Sequence, residues 1–218
     1  HSVMNTLFAS NALKALASKK DIFEVYEAIS HKDNDDLRNK VTKEALQKGM
    51  LYVEDTSGTN INVQIFDSAK IDFSKIDINV DKKKLEIEKP IIIVMDYAFG
   101  EQAYETIDEL LKPYKANGKK THLNVDSISV MGKAGILEGG KGDIMIPSAH
   151  IFEGTADNYP FKNELSKSDL EDQGVSVYEG AMITVLGTSL QNKDILKFFF
   201  SSTWNVIGLE MEGAHYQK

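Results

Sequence analysis

The spacing of apolar residues in the first fifty positions predicts helices. Apolar side chains recur at helical intervals at Leu13, Leu16, Ile22, Val25, Tyr26 and Ile29. This recurrence is typical of helices with one apolar stripe. The polar run from His31 to Asp36 interrupts the stripe and predicts a break between helices. We therefore expect residues 1–50 to form a helical N-terminal extension, with a solvated surface element as its simplest interpretation.

After residue 50 the pattern changes to short β-type runs. Half-exposed strands are predicted at Met50 to Val53, Ile61 to Phe66 and Ile71 to Val80, and the charged residues Asp81 to Lys84 predict a solvated turn. The next run, Ile91 to Met95, is continuously apolar and mostly β-branched. Because such runs are typical of strands buried on both faces, this one predicts a central strand.

From residue 100 onward, helices and strands are predicted to alternate. Helices are predicted at Gly100 to Tyr114, at Asp194 to Ser201 and from Met211 onward, and strands at Ser127 to Met131, Asp143 to Pro147, Val175 to Leu186 and Trp204 to Leu209. This order predicts a three-layer α/β fold, in which helices flank a central mixed β-sheet. We expect this domain to span residues 51–218 and to continue beyond Lys218, because the last helix is unfinished.

Composition excludes several classes of protein. The formal net charge is −8, which opposes nucleic-acid binding, and the chain has no cysteine for disulfides or thiolate chemistry. No apolar run reaches the roughly 18 residues of a membrane span. We expect a cytoplasmic protein that uses neither a cofactor nor a metal. Arg38 is the only arginine, an unusual bias for a protein that holds phosphate groups.

The segment SISVMGKAGILEGGKGDIMIP is the first candidate for chemistry. Its predicted strand leads into Gly132, Lys133, Ala134 and Gly135, where exposed backbone N–H groups would let a ligand approach closely. The spacing matches neither a P-loop nor a dinucleotide fingerprint. A glycine-rich turn between strands is the simpler interpretation of this segment alone.

Two further segments end predicted strands with polar residues. In WNVIGLEMEGAHYQ, the strand leads to Glu210, Met211 and Glu212, and a carboxylate that accepts two hydroxyl protons suits a ribose. The alternative is an acid that merely favours the first turn of a helix. In ITVLGTSLQ, small hydroxyls and Leu190 suit the edge of a planar base, whereas a strand end with an N-cap is the simpler interpretation.

The order of these segments resembles the purine and uridine phosphorylase superfamily over Ile91 to Tyr216. The matching pieces are IIIVMDYAFGEQAYETI, VMGKAGILEGGKGDIMIP, ITVLGTSLQ and GLEMEGAHY. The resemblance implies a substrate site with these roles: Ala134 and Gly135 border the base, Leu190 packs on its face, Met211 lies under the sugar, Glu212 holds the ribose hydroxyls, and Gly100 and Lys133 face phosphate or water. It also implies assembly into a homo-oligomer.

The sequence departs from that family in three respects. Lys133 replaces a loop hydroxyl, arginine is absent outside residue 38, and the segments that would supply an acid for the base and activate water are not found. We therefore expect binding of a purine nucleoside or nucleotide, with hydrolysis of the N-glycosidic bond favoured over phosphorolysis by inorganic phosphate. A non-catalytic nucleoside-binding or regulatory domain, and a structural protein that assembles through its N-terminal helices, are the alternatives.

Overall fold

The computed structural model describes residues 2–76, 80–170, 174–187, 192–201 and 205–218. The chain forms two compact units, His1–Tyr97 and Ala98–Lys218. The first unit therefore contains both the helices expected over residues 1–50 and the three strands that follow them.

The first unit begins with four helices. They are α1 (Ser2–Ala12), α2 (Lys14–Ala17), α3 (Ile22–Ser30) and α4 (Asp35–Gln47). The predicted break at the polar run is confirmed, because α3 ends at Ser30 and α4 begins at Asp35. Asp21 and Glu24 form a capping box that begins α3, in which each side chain accepts the other residue's backbone N–H.

A three-stranded antiparallel sheet follows the helices, in the order β1-β2-β3. The strands are β1 (Met50–Val53), β2 (Val63–Asp67) and β3 (Ile91–Met95), and α5 (Lys82–Glu88) lies between β2 and β3 in the chain. The core of this unit joins helix residues such as Val25, Ile29 and Val41 to Phe66 of β2, all at most 2% exposed. Ile92 and Val94 of β3 pack against the same core.

Three sequence predictions in this unit are wrong. The segment predicted as a strand from Ile71 contains a short 3-10 helix, Phe73–Lys75, and its residues 77–79 lie outside the described residues. The predicted turn at Asp81 to Lys84 instead begins α5, because the Asp81 carboxylate caps the helix by accepting the Lys84 N–H. Strand β3 is an edge strand, not a central one: Ile91 and Ile93 are 55% and 39% exposed.

The second unit contains a five-stranded mixed sheet in the order β6-β10-β9-β7-β8. Its strands are β6 (Gly135–Ile136), β7 (Ile144–Phe152), β8 (Asn158–Pro160), β9 (Val177–Thr184) and β10 (Val206–Glu210). The inner three, β10, β9 and β7, are parallel, and the two outer strands are antiparallel to their neighbours. The carboxyl ends of the parallel strands therefore meet at one edge of the sheet.

Helices and a hairpin complete the second unit. They are α6 (Gln102–Leu111), the hairpin strands β4 (Tyr114–Ala116) and β5 (Lys119–Thr121), α7 (Lys167–Leu170), α8 (Lys193–Phe200) and α9 (Gly213–Gln217). Ile183, Val185 and Leu209 form the centre of its core, and all three are at most 1% exposed. Leu196 and Phe199 of α8 and Met211 pack against this core.

The segment from Leu111 to Gly135 is exposed at every residue. The strand predicted at Ser127 to Met131 is wrong, because this fully described segment contains no strand between β5 and β6. Ile128, Val130 and Met131 are 53%, 59% and 81% exposed. The apolar alternation predicted a strand, but no described strand of the unit pairs with these residues.

The expected α/β class, with a mixed sheet and helices, is confirmed. Strands and helices alternate from β8 to α9, and this alternation is typical of the α/β class. Within the ranges that the structure describes, no helix combines the length and the apolar character that a bilayer crossing requires.

Candidate functional site

Polar side chains gather at the carboxyl edge of the second unit's sheet. Glu153 directly follows β7, Thr184 ends β9 and Glu210 ends β10. The backbone links these strand ends, since the Glu153 N–H donates to the Thr184 carbonyl at 2.9 Å and the Val185 N–H to the Glu210 carbonyl at 2.8 Å. Ligands of α/β sheets bind at this edge, beyond the carboxyl ends of the strands.

The Glu210 carboxylate accepts hydrogen bonds at both of its oxygens. Oε1 accepts the Thr184 hydroxyl, and Oε2 accepts the backbone N–H groups of Glu212, at 2.6 Å, and of Gly213. Glu210 therefore fixes the turn that joins β10 to α9. This carboxylate is occupied by the protein itself, which makes it a structural group rather than a ligand-binding one.

Glu212 lies in that turn, immediately before α9 begins at Gly213. Its Oε1 accepts the backbone N–H of Gly100 at 3.1 Å, which links two positions 112 residues apart in the sequence. Gly100 has a φ of +54°, a conformation that favours glycine. Glu212 is only partly buried, and a carboxylate has about four acceptor positions, so it can accept further donors.

Two histidines belong to the elements around the site, His150 to β7 and His215 to α9. His150 of β7 is 9% exposed, and its Nδ1 lies 3.0 Å from Gln217 Oε1. Its ring stacks on Phe161 with the centroids 5.4 Å apart. His215 is 4% exposed, packs edge-on against Phe152 at 4.7 Å, and has no hydrogen-bond partner at its Nδ1. Both imidazoles are thus enclosed by aromatic rings and the helix.

The structure brings some of the predicted site residues together. Gly100 and Glu212 are in direct contact, and Met211, between Glu210 and Glu212, packs against the core. Gly135 is in β6, opposite Leu209 of β10, one residue before Glu210.

The other predicted site residues are placed apart from this contact or are not described. Lys133 and Ala134 lie in the exposed segment that precedes β6. Leu190 lies outside the described residues. The loop at 133–135 is therefore tied to the site through Gly135, by its pairing with β10.

Sequence reasoning did not single out Thr184, His150 or Gln217. Thr184 is fully buried, and its hydroxyl also accepts the Ala214 N–H at 2.9 Å. The partners of Thr184 are 26 and 30 residues away in the sequence, so no local spacing reveals them. A buried threonine at the end of an apolar strand is the one signal that could have suggested a partner, since buried hydroxyls are normally hydrogen-bonded.

The charge at this edge is negative. Glu153, Glu210 and Glu212 all lie there, and the Glu153 carboxylate accepts the Leu186 N–H at 2.8 Å. Arg38 is engaged within the first unit: its guanidinium caps the end of α3, donating to the carbonyls of Ile29, His31 and Lys32. Among the described residues, no group of three or more metal-ligating side chains is arranged around a common point.

The fold and the site define an α/β protein with a carboxylate-lined edge on a mixed sheet. The chain belongs to a family of unknown function, DUF6909, whose model matches residues 17–218. No curated protein and no solved structure matches the chain.

Proposed function

We propose that the second unit binds a purine nucleoside at the carboxyl edge of its sheet and hydrolyses the N-glycosidic bond. Glu212 holds the ribose hydroxyls in this proposal, and the loop at 133–135 borders the base. The proposal rests on the resemblance of Ile91 to Tyr216 to the purine and uridine phosphorylase superfamily. A cytoplasmic location and assembly into a homo-oligomer remain part of it.

The contact between Glu212 and Gly100 is the observation that carries the proposal. The two residues come from separate segments of the resemblance, and their hydrogen bond joins them at one place. The Gly100 N–H fixes one carboxylate oxygen, which orients the group while leaving acceptor capacity for two adjacent hydroxyls. A preoriented carboxylate holds a diol without the entropy cost of ordering a free side chain.

Charge favours an uncharged nucleoside and hydrolysis. Three carboxylates at the edge repel phosphate, whether it is a free ion or part of a nucleotide. Arg38 is engaged with the end of α3, so no arginine serves the site. The same carboxylates stabilise the positive charge that develops on the sugar when the glycosidic bond breaks.

The second candidate is a nucleoside-binding domain without catalysis. Departure of a purine requires a proton donor, and the elements that form the site carry two imidazoles, His150 in β7 and His215 in α9. Both are buried, and the Nδ1 of His150 is engaged with Gln217. This enclosure favours binding without cleavage.

The test measures binding and base release separately. Calorimetric titration with adenosine is compared between the unaltered protein, Glu212→Gln and the matched control Glu164→Gln, whose side chain is exposed. Because hydrogen bonds to a charged group contribute about 1.5–3 kcal/mol each, we expect Glu212→Gln to weaken binding about tenfold or more. The control should bind like the unaltered protein, and equal affinity in all three proteins would refute the ribose clamp.

Base release is then assayed with adenosine, inosine, methylthioadenosine and AMP, each with and without phosphate. Release without phosphate supports hydrolysis. Release that requires phosphate replaces hydrolysis with phosphorolysis. Binding without any release supports the second candidate, and absence of both binding and release overturns the proposal.

A further inference from the structure

Thr184 connects three elements at the candidate site. It ends β9, its hydroxyl donates to the carboxylate of Glu210 at the end of β10, and the same hydroxyl accepts the N–H of Ala214 in α9. The residue is fully buried, so water does not compete for these bonds. One hydroxyl therefore serves as donor and acceptor at the point where both strands meet the helix.

Glu210 carries this constraint to Glu212. While Oε1 accepts the Thr184 hydroxyl, Oε2 accepts the backbone N–H groups of Glu212 and Gly213. The backbone N–H of Glu212 is thus held by the Glu210 carboxylate. The Glu212 side chain is held by a second bond, from the Gly100 N–H at 3.1 Å.

We propose that Thr184 is a positioning residue for the Glu212 carboxylate. Its hydroxyl holds Glu210, Glu210 holds the turn at Glu212 and Gly213, and the turn aims the Glu212 carboxylate at Gly100. Thr184 does not touch the ligand in this scheme. The effect of Thr184 on ribose binding rests on the proposed function. Its effect on the hydrogen bond between Glu212 and Gly100 does not, and can be tested without a ligand.

The hydroxyl, and not the bulk of the side chain, is the active feature. Valine has nearly the same shape as threonine but neither donates nor accepts, so Thr184→Val leaves the Ala214 N–H and one Glu210 oxygen without this partner. Buried groups that lose a partner bear the full cost of desolvation. The turn is then expected to move to regain partners, which carries Glu212 away from Gly100. Serine keeps the hydroxyl and should keep the arrangement.

The first measurement follows the Gly100 amide by hydrogen exchange with NMR detection in the full chain. We expect exchange of the Gly100 amide to accelerate about tenfold in Thr184→Val, which displaces its acceptor, and in Glu212→Gln, which replaces the charged acceptor with a weaker neutral one. Thr184→Ser and the exposed control Thr121→Val should leave the exchange unchanged. Unchanged Gly100 exchange in folded Thr184→Val, or equal acceleration in Thr184→Ser, overturns the proposal.

The second measurement compares the affinities for adenosine and 2′-deoxyadenosine. The unaltered protein and Thr184→Ser should prefer adenosine, and Thr184→Val should lose most of that preference while its circular dichroism remains that of the unaltered protein. Retained preference in Thr184→Val refutes positioning while leaving the ribose clamp intact. If the unaltered protein binds neither ligand, the proposed function fails, and Gly100 exchange alone decides the role of Thr184.

Glu210→Gln replaces Thr184→Val if the valine variant does not fold. Glutamine keeps one oxygen acceptor of the carboxylate and replaces the other with an amide nitrogen, which cannot accept. We expect faster Gly100 exchange in this variant than in the unaltered protein. If folded Glu210→Gln exchanges its Gly100 amide at the rate of the unaltered protein, the proposal is overturned, as it would be by unchanged exchange in Thr184→Val.

Discussion

Gly213 lies where the chain enters α9 between His150 and Glu210. A Cβ at this position would collide with His150 Nε2 and would lie 2.9 Å from the Glu210 carboxyl carbon. Both neighbours are held in place, His150 by Gln217 and Phe161, and Glu210 by Thr184 and the backbone. The absence of a side chain at residue 213 is therefore a condition for the site's geometry.

We expect Gly213→Ala to destabilise the protein by roughly 1–3 kcal/mol, the range for forcing extra volume into a packed region. Chemical denaturation followed by circular dichroism measures the change. Gly140→Ala is the control, because a Cβ there meets only Asp143 Oδ2, at 3.9 Å. A control variant that loses as much stability as Gly213→Ala would argue against a steric cause.

Asp55 organises its own loop through several hydrogen bonds. The Ser57 hydroxyl, followed by the Ser57 and Asn60 N–H groups, holds the pKa of the Asp55 carboxyl well below its ordinary value of 3.8. The Gly58 N–H also donates to this carboxylate, at 3.0 Å. Because the folded pKa is depressed, the stabilisation is complete above the unfolded pKa and is lost progressively as the pH falls from there through the folded pKa, where the carboxylate itself becomes protonated.

We therefore expect the loop at 55–60 to stay intact down to pH values below 3.8. An NMR titration of the Asp55 carboxyl carbon should show its inflection well below that value. At pH values above the folded pKa, Asp55→Asn should accelerate amide exchange at Gly58 and Asn60, since asparagine is uncharged and keeps only one accepting oxygen, and Asp126→Asn should not. An inflection of Asp55 at its ordinary value would contradict the assigned bonds.

At the scale of elements, α3 shows how local sequence determines a helix start. The Asp21 carboxylate accepts the Glu24 N–H at 2.9 Å, and the Glu24 carboxylate accepts the Asp21 N–H at 3.1 Å. Val25 and Ile29, one turn apart, then place the apolar stripe in the core. Both signals lie within nine residues, and the helix was accordingly predictable.

We expect Asp21→Ala to destabilise the first unit by about 1 kcal/mol, the usual cost of losing an N-cap. Urea unfolding followed by far-ultraviolet circular dichroism is the measurement. Glu27→Ala, an exposed substitution in the same helix, should stay within a few tenths of a kcal/mol. Equal losses in both variants would show that the capping box has no special effect.

Elements that depend on distant partners were less predictable. Strand β1 was predicted with its observed bounds, because its pattern is local. The apolar run of β3 was predicted as a strand but not as an edge strand. A run of β-branched residues indicates a strand, but it does not indicate whether one or two strands of the sheet pair with it. The same reason explains the wrong strand prediction at Ser127 to Met131. The alternation of apolar residues there favours a strand, but it does not show whether a neighbouring strand is available to pair with it.

The site was predictable to a similar degree. Resemblance placed Gly100 and Glu212 among the candidates, and the structure brings them into contact. Thr184 could not be singled out, because its role depends on hydrogen bonds to residues 26 and 30 positions away. His150 and Gln217, separated by 67 residues, are a second example. Local patterns identify candidate groups, whereas the bonds that orient them are fixed by tertiary structure.

At the scale of the molecule, the segment from Leu111 to Gly135 differs from the rest of the second unit. All of its residues are exposed, whereas the sheet that follows it has a buried centre at Ile183 and Leu209. Exposed backbone outside stable packing is where proteases cleave first.

We expect limited trypsin digestion to cut first after Lys133, which lies in the part of this segment between β5 and β6 that forms no strand. Mass spectrometry of the early fragments identifies the sites. Lys40 and Lys43 of α4 serve as internal controls and should be cut later, because the hydrogen bonds of a 13-residue helix protect its backbone. First cuts in α4, or lasting resistance of the segment, would contradict the exposure described for it.

Arg38, which caps the end of α3, has a practical consequence as the chain's sole guanidinium. A reagent selective for guanidinium groups can attach at one position only, which makes the chain a naturally single-site target for labelling. The label would report on the junction between α3 and α4, because three carbonyls and Asp35 surround that group. The rate at which the reagent modifies Arg38 would therefore depend on how often that junction opens. Measuring this rate would report local unfolding in the first unit.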